Sequence, residues 1–461
     1  MTEPERHRRE PRHFHLARGL DLRIAGAPDM GTIEDAPPVR SVALLGADAP
    51  GVRPDLRVDP GDRVRLGQTL WVDRRRPELR FTAPGAGRVR AVERGAQRRL
   101  EAVVIDLEGD ETEGFDPVAP AEVAGLPGPR LRALMLASGL WTTLRARPFS
   151  RIPDPDETPR AIFVTAMESE PLAPPAEPII DAQRDAFALG VTALTRLTAG
   201  PIHVCTRPGA AAPVPDLESV TVTTFEGPHP AGLPGTHIHL LGPGIAGSAA
   251  WHLGYPEVIA LGQLLVTGRL PTERVVSLAG PAVARPRLVR TRVGANTDDL
   301  LRGGLRDERC RVLSGSVLSG RQAMGWGAHL GRLHRQVSAL TEDDAPAGFG
   351  WLAPRRGGRA RRVLGSLRRR TRAGGDDTTS LHGRRGPFFP LERLERVVPL
   401  DLWLAPLLRA LLVGDVEAAE ELGALELSEE DLALVTYLCP GKLEYGALLR
   451  SALDEIQKAR A

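Results

Sequence analysis

The chain has 461 residues and a formal net charge of +2, with 42% hydrophobic and only 4% aromatic residues. That length suggests about three domains, with cores resting on Leu, Val and Ala. The near-neutral balance removes any global electrostatic case for nucleic acid.

Residues 1–13 are polar and charged with no apolar run behind them, so they read as a disordered leader and not as a signal peptide. From Val39 to about Glu108, short β-type runs alternate with Gly and Pro. Val42–Leu45, Arg63–Gly67, Thr69–Asp73, Arg88–Val92 and Glu101–Glu108 read as strands. The acidic stretch Gly109–Asp116 reads as a linker. Beyond it helical and strand signals alternate: a helix over Leu131–Leu144, a buried strand over Ala161–Ala166, and an amphipathic helix over Asp181–Leu197. In that last helix Ala182, Ala186, Leu189, Ala193 and Leu197 recur at helical spacing. Pro201–Cys205 and Ser219–Phe225 read as strands, which makes an α/β layer. Glu273–Gly280 and Arg287–Gly294 open a second β-rich unit, followed by a short helix at Thr297–Leu301. Arg355–Arg372 is Arg-rich, with Gly357, Gly358 and Gly365 inside it. Residues from about 400 to 458 read as helical, with Ser428 as a helix N-cap and Asp431 at the capping-box position. The richest apolar stretch, Leu400–Val413, is broken by Asp401, Pro406 and Arg409, and nothing reaches the ~18–20 apolar residues of a transmembrane helix.

Four constellations could carry chemistry. Pro60–Leu70 followed by Thr82–Val89 resembles a biotinyl/lipoyl barrel-sandwich, with its GDxVxxGQ turn and APxxG turn. A swinging arm needs a lysine amine at the hairpin tip, but the tip here is Asp73-Arg74-Arg75-Arg76-Pro77, which makes the unit a docking module. Ser138-Gly139-Leu140-Trp141 with Arg145 and Arg147 invites a phosphate-site reading, yet a cradle needs several glycines and none of the nucleotide fingerprints is present. The pair reads better as a packing corner. His237 and His239 stand two apart, which on a strand puts them on one face. With His229 or His252 as a third ligand they could hold zinc, but no carboxylate is close, and a hydrogen-bonded His-rich loop is the simpler reading. Arg355–Arg372 could touch anionic lipid or an acidic partner. The three cysteines, Cys205, Cys310 and Cys439, fit a reducing compartment and fall short of the about four ligands of an iron–sulfur cluster. Lys442 and Lys458 are the only lysines. No catalytic and no metal residue is expected.

Several phrases in order resemble one family. Among them are Gly19–Leu22, Val42–Gly46, Ser138–Trp141 with Arg147–Ser150, Phe163–Met167, the long run Gly227–His239, Pro286–Arg292, Ser314–Arg321, Arg396–Asp401 and Cys439–Gly446. From about Leu16 to the end, the chain resembles the A subunits of the sodium-translocating NADH:quinone reductase. Those are related in turn to the NADH- and flavin-binding subunit of respiratory complex I. The resemblance implies a multidomain α/β plus β fold: leader 1–13, barrel-sandwich domain 14–112, Rossmann-like domain 113–257, β-grasp domain 258–340, and a C-terminal region 341–461 with a basic hairpin and a helical bundle. It further implies a peripheral subunit on the cytoplasmic face of a six-subunit membrane complex, reaching the membrane through its partners with help from Arg355–Arg372. That complex moves electrons from NADH to ubiquinone while exporting sodium. Its flavins and iron–sulfur centres reside in other subunits, so this chain is expected to bind no cofactor and to take part at the quinone end. The candidate quinone contacts are Gly139, Leu140, Trp141 and Phe149. Two other readings remain: a docking subunit of a ferredoxin:NAD electron-transfer complex, or a free flavin- or NADH-binding dehydrogenase.

Overall fold

The computed structural model describes residues 12–242, 249–306, 309–342, 378–379 and 392–460. Four units surround a shared junction. The first is built from alternating apolar strands. Ser41–Leu45, Leu100–Leu107, Gly87–Arg94 and Arg63–Val64 form one antiparallel sheet, and Pro54–Leu56, Thr69–Asp73 and Arg76–Thr82 form another. Leu70, Leu79, Val103 and Ile105 fill the space between them, and Trp71 stacks on Phe81 at 5.3 Å. The hairpin tip is tied down. Buried Asp73 accepts hydrogen bonds from the backbone N–H groups of Arg53 and Arg75 and from the Arg76 guanidinium.

The second unit is a six-stranded sheet in the order Arg12–His15, Val220–Glu226, Ile202–Thr206, Ala161–Thr165, Ala250–Gly254, Arg145–Arg147. Its strands are parallel apart from the last, which runs antiparallel. Parallel strands need crossovers, and these carry the helices. Two of the helices, Arg184–Leu194 and Tyr255–Thr267, approach closely because glycine lies at both contact points. A Cβ on Gly190 would stand 2.1 Å from the Val258 carbonyl oxygen, and one on Gly262 would stand 1.9 Å from that of Ala186.

The third unit is a mixed sheet in the order Arg321–Gln322, Cys310–Ser314, Gln336–Thr341, Glu273–Ala279, Arg287–Arg292, Asp29–Asp35. The fourth is helical. Leu404–Val413, Val416–Glu421, Ala433–Leu438 and Tyr445–Arg460 pack around Leu407, Leu408, Leu411, Leu449 and Leu453. Ser428 and Asp431 make the expected capping box, here on a 3-10 turn over Glu429–Leu432 that leads into Ala433–Leu438.

The structure departs from the sequence reading at several points. Arg12 and His13 already belong to a strand, and the leader before them lies outside the described residues. Asp29–Asp35 pairs with Arg287–Arg292, so a strand from the segment expected in the barrel-sandwich domain extends the sheet of the third unit. The boundary expected after residue 257 falls inside the helix Tyr255–Thr267, whose apolar face rests on Arg184–Leu194 and keeps it in the α/β unit. The helix expected over Leu131–Leu144 is Gly128–Ser138, closed by Gly139 at φ 79° and followed by a 3-10 turn over Leu140–Thr143. A left-handed glycine of this kind is a common helix stop. The helix expected over Asp181–Leu197 is two helices, Ala176–Asp181 and Arg184–Leu194, with the backbone of Gln183 leaving the helical region between them. The basic segment Arg355–Arg372 lies outside the described residues.

Candidate functional site

In an open α/β sheet, ligands bind in the crevice beyond the carboxyl ends of the parallel strands. Here that crevice is roofed over into a cavity of about 530 Å³. Thr165 and Gly254 reach it from the strand ends, Asp48 from the barrel-sandwich, Gly315 and Gln336 from the third unit, and Glu429 and Glu430 from the helical unit. All four units therefore contribute to one wall.

Its electrostatics disfavour an anionic occupant. Each arginine at the wall is already engaged. Arg335 pairs with buried Glu168 at 2.8 Å. Arg450 is bidentate to Glu429 at 2.6 and 2.8 Å. Arg145 donates to the carbonyls of Thr142, Leu144 and Asp48 at 2.9 Å. Acids remain at the wall. Glu170 accepts from the Ser319 hydroxyl at 2.6 Å. Burial, reinforced by Asp431 and opposed by Arg147, pushes the Glu430 carboxyl up to about 8. The His252 ring is held neutral: burial, then Arg147 and Arg145, push its pKa well below 6.5. Four of the lining residues carry a polar atom that is buried beneath the surface and has no hydrogen-bond partner among the described residues: Ser150 Oγ, Thr165 Oγ1, His252 Nε2 and Gln336 Oε1.

The sequence-proposed contacts lie beside this cavity and not in its wall. Gly139 closes the preceding helix, and a Cβ there would stand 2.5 Å from Thr82 Oγ1. Its carbonyl accepts from Arg332 at 3.0 Å. Leu140 is buried and borders a separate space of about 30 Å³, room for a water. Trp141 is wholly buried, donates Nε1–H to the Pro153 carbonyl at 3.0 Å and meets Trp251 edge-on at 5.2 Å. Phe149 packs against the helical unit, and its carbonyl accepts from Arg450 at 2.9 Å. Their neighbours Thr143, Arg145 and Ser150 do line the large cavity. Arg147, read from sequence as a candidate for an anion, finds one within the chain. Its guanidinium meets Asp431 at 3.0 Å, Ser428 Oγ at 2.8 Å and the Glu426 carbonyl at 3.0 Å.

The histidines correct the strand expectation. His237 and His239 lie on the helix Pro234–Leu241, where positions two apart are turned by about 200° and diverge. His237 Nε2 donates to the Ala231 carbonyl at 2.9 Å, while His239 bonds Glu426 at 2.7 Å and accepts from the Asp401 N–H at 3.0 Å. His229 meets Ser169 Oγ at 3.0 Å. The cysteines lie in three different units, with Cys205 and Cys439 buried.

A pH prediction follows from the buried imidazoles. Burial pulls His237, His329 and His334 down from 6.5 to about 4. The unfolded chain takes up these protons first, so the stability contribution is complete above pH 6.5 and falls as pH drops towards 4. The loss is on the order of 1.4 kcal/mol per pH unit for each such ring. Urea midpoints measured at pH 7.5, 6 and 5 should fall steadily, and a flat profile would show that these rings titrate normally.

Comparisons with known proteins agree with this architecture. Residues 14–108 match a family model described as the NqrA N-terminal barrel-sandwich hybrid domain, residues 126–270 the NqrA second alpha/beta domain, and residues 275–325 the NQRA C-terminal domain. Relatives described as A subunits of the Na(+)-translocating NADH-quinone reductase span nearly the whole chain. The Pseudomonas aeruginosa protein is 49% identical over 96% of this chain and 99% of its own length. The Klebsiella pneumoniae protein matches at 49% and the Yersinia pseudotuberculosis protein at 46%, with the same coverage. With three family models matched along it and relatives 46–49% identical over 96% of it, the chain belongs to the family of A subunits of the Na+-translocating NADH-quinone reductase, an oxidoreductase and translocase complex.

Proposed function

We propose that this chain serves the quinone end of that complex as its docking subunit, with no redox cofactor of its own. The observation that supports this reading is the chemistry of the 530 Å³ cavity. A flavin phosphate or a dinucleotide pyrophosphate calls for a glycine-rich backbone cradle and unmatched positive charge. The strand-end crevice has its glycines spread over separate segments, Gly232, Gly254, Gly315 with Gly320, and Gly446, it presents Glu170, and two of its three arginines are paired with carboxylates, Arg335 with Glu168 and Arg450 with Glu429. An uncharged ring with oxygen functions calls for neither. On this reading, quinone contact shifts from Gly139, Leu140 and Trp141 to the cavity wall beside Phe149. The remaining five subunits hold the flavins and iron–sulfur centres, and this chain sits at the cytoplasmic face through them. Among the described residues no helix is long and apolar enough to cross a membrane.

The test is a mild-detergent pull-down of the tagged chain from its own membranes, with sodium-stimulated NADH:quinone reduction as readout. Flavoprotein subunits and sodium-dependent activity should come down with a chain that, once separated, has no flavin absorbance. A chain that comes down alone, or that keeps a flavin of its own, would favour the ferredoxin-linked docking or free-dehydrogenase readings.

A further inference from the structure

Three consecutive acids, Glu429, Glu430 and Asp431, lie on the 3-10 turn that the helical unit lends to the large cavity. Two of them have cations. Glu429 accepts from Nε and Nη2 of Arg450, and Asp431 meets Arg147 at 3.0 Å. Glu430, between them, is in no ion pair among the described residues. Its Oε1 lies 3.5 Å from Ser428 Oγ, a hydroxyl whose single proton is better placed on Asp431 at 2.9 Å. Its Oε2 is bonded to no described residue. Glu430 is only half-buried and lines the cavity, and Oε2 is not among the unpartnered atoms sealed beneath the surface. A molecule in the cavity can therefore reach it.

The surroundings favour the acid form of this carboxyl. Glu429 and Asp431 flank it on its own turn, and Glu170 faces it from the α/β unit. The opposing cations are engaged elsewhere: Arg147 with Asp431, and Arg145 with three backbone carbonyls. On the last helix Arg450 is held by Glu429, and Asp454 by Arg151. The His252 ring is neutral. Burial, then Asp431, push the Glu430 carboxyl up to about 8, so it keeps its proton at neutral pH.

We propose that Glu430 holds a quinone in this cavity by donating its carboxylic O–H to one of the ring carbonyls. The inference rests on the quinone reading of the cavity given above. A dione ring brings only acceptors and needs a donor from the wall. A carboxylic acid kept neutral by its surroundings can donate a hydrogen bond to a ligand oxygen. Once ionised, the same group is an acceptor only and sets a negative charge against the carbonyl. Glu430 then binds and orients the ring and transfers neither electron nor proton.

The experiment is binding of a short-chain ubiquinone to the purified full-length chain, followed from pH 6 to 9.5. Affinity should be constant at the acid end and fall by about fivefold or more through pH 8, as the donor is lost. Glu430→Gln keeps an N–H donor and cannot ionise, so it should bind at pH 7 nearly as the wild type does and show no such fall. Glu430→Leu should bind about fivefold weaker at pH 7, again without the fall. Glu170→Gln removes a facing negative charge and should move the fall to lower pH. Thermal melts at each pH establish that the variants are folded. A flat profile in the wild type, a fall that persists in Glu430→Gln, or undiminished binding by Glu430→Leu overturns the role of Glu430 and leaves the quinone reading standing. Failure of the wild type to bind at any pH overturns the quinone reading itself, and this inference with it.

Discussion

Replacing Arg147 with alanine is expected to loosen the helical unit from the α/β unit, at a cost of about 3–5 kcal/mol. Arg147 and Asp431 are almost completely buried, with side chains 4% and 2% exposed. The same guanidinium holds Ser428 Oγ and the Glu426 carbonyl, so one side chain fastens the turn that begins the run into the last helices. Removing it leaves the Asp431 charge in a site with no other cation bonded to it among the described residues. The measurement is limited proteolysis alongside thermal melting. Early cleavage within residues 392–460 and a lowered, broadened transition are expected. Arg147→Lys should recover only part, since an ammonium lacks the planar fork that serves three acceptors at once. An unchanged melt for Arg147→Ala would mean that the two units are held by other contacts.

Trp141→Ala is expected to cost a similar amount, about 3–5 kcal/mol, by a different route. The indole is wholly buried, packed edge-on against Trp251 with the Arg132 guanidinium 5.1 Å from its ring centre. Its removal opens a void in the largest core and leaves the Pro153 carbonyl without its donor. This substitution also separates two roles for the residue. A core role predicts a large fall in melting temperature and reduced yield, with the KM for quinone unchanged in whatever complex assembles. A direct quinone contact predicts the reverse, a raised KM with the melt preserved.

Local patterns carried much of the fold. The strand runs Val42–Leu45, Thr69–Asp73 and Ala161–Ala166 appear almost where the apolar residues place them. The Ser428–Asp431 capping box was legible from two side chains at the right spacing. The helix at Pro234–Leu241 was misread although its signals were present: Pro234 in the first turn and Gly242 just past the end. The alternation of His237 and His239 had suggested a period of two. Edge pairing of the N-terminal strands was out of reach, because a strand's partner is a long-range fact that its own residues do not encode. The cavity was hidden for the same reason. Thr165, His252, Gln336 and Glu430 are each unremarkable in sequence, and only the meeting of four units brings them to one wall.

The two N-terminal strands also set a timetable for the chain during synthesis. Arg12–His15 must wait for Val220–Glu226, and Asp29–Asp35 for Arg287–Arg292, before either finds its neighbour. The barrel-sandwich strands from Ser41 to Leu107 need only one another and can close soon after they leave the ribosome. These two strands, made long before their partners, are thus among the last to settle. Until then they are unpaired edges, and the two sheets they complete each remain one strand short. A nascent chain stalled before residue 220 would hold the barrel-sandwich strands paired with one another, preceded by two strands still without partners.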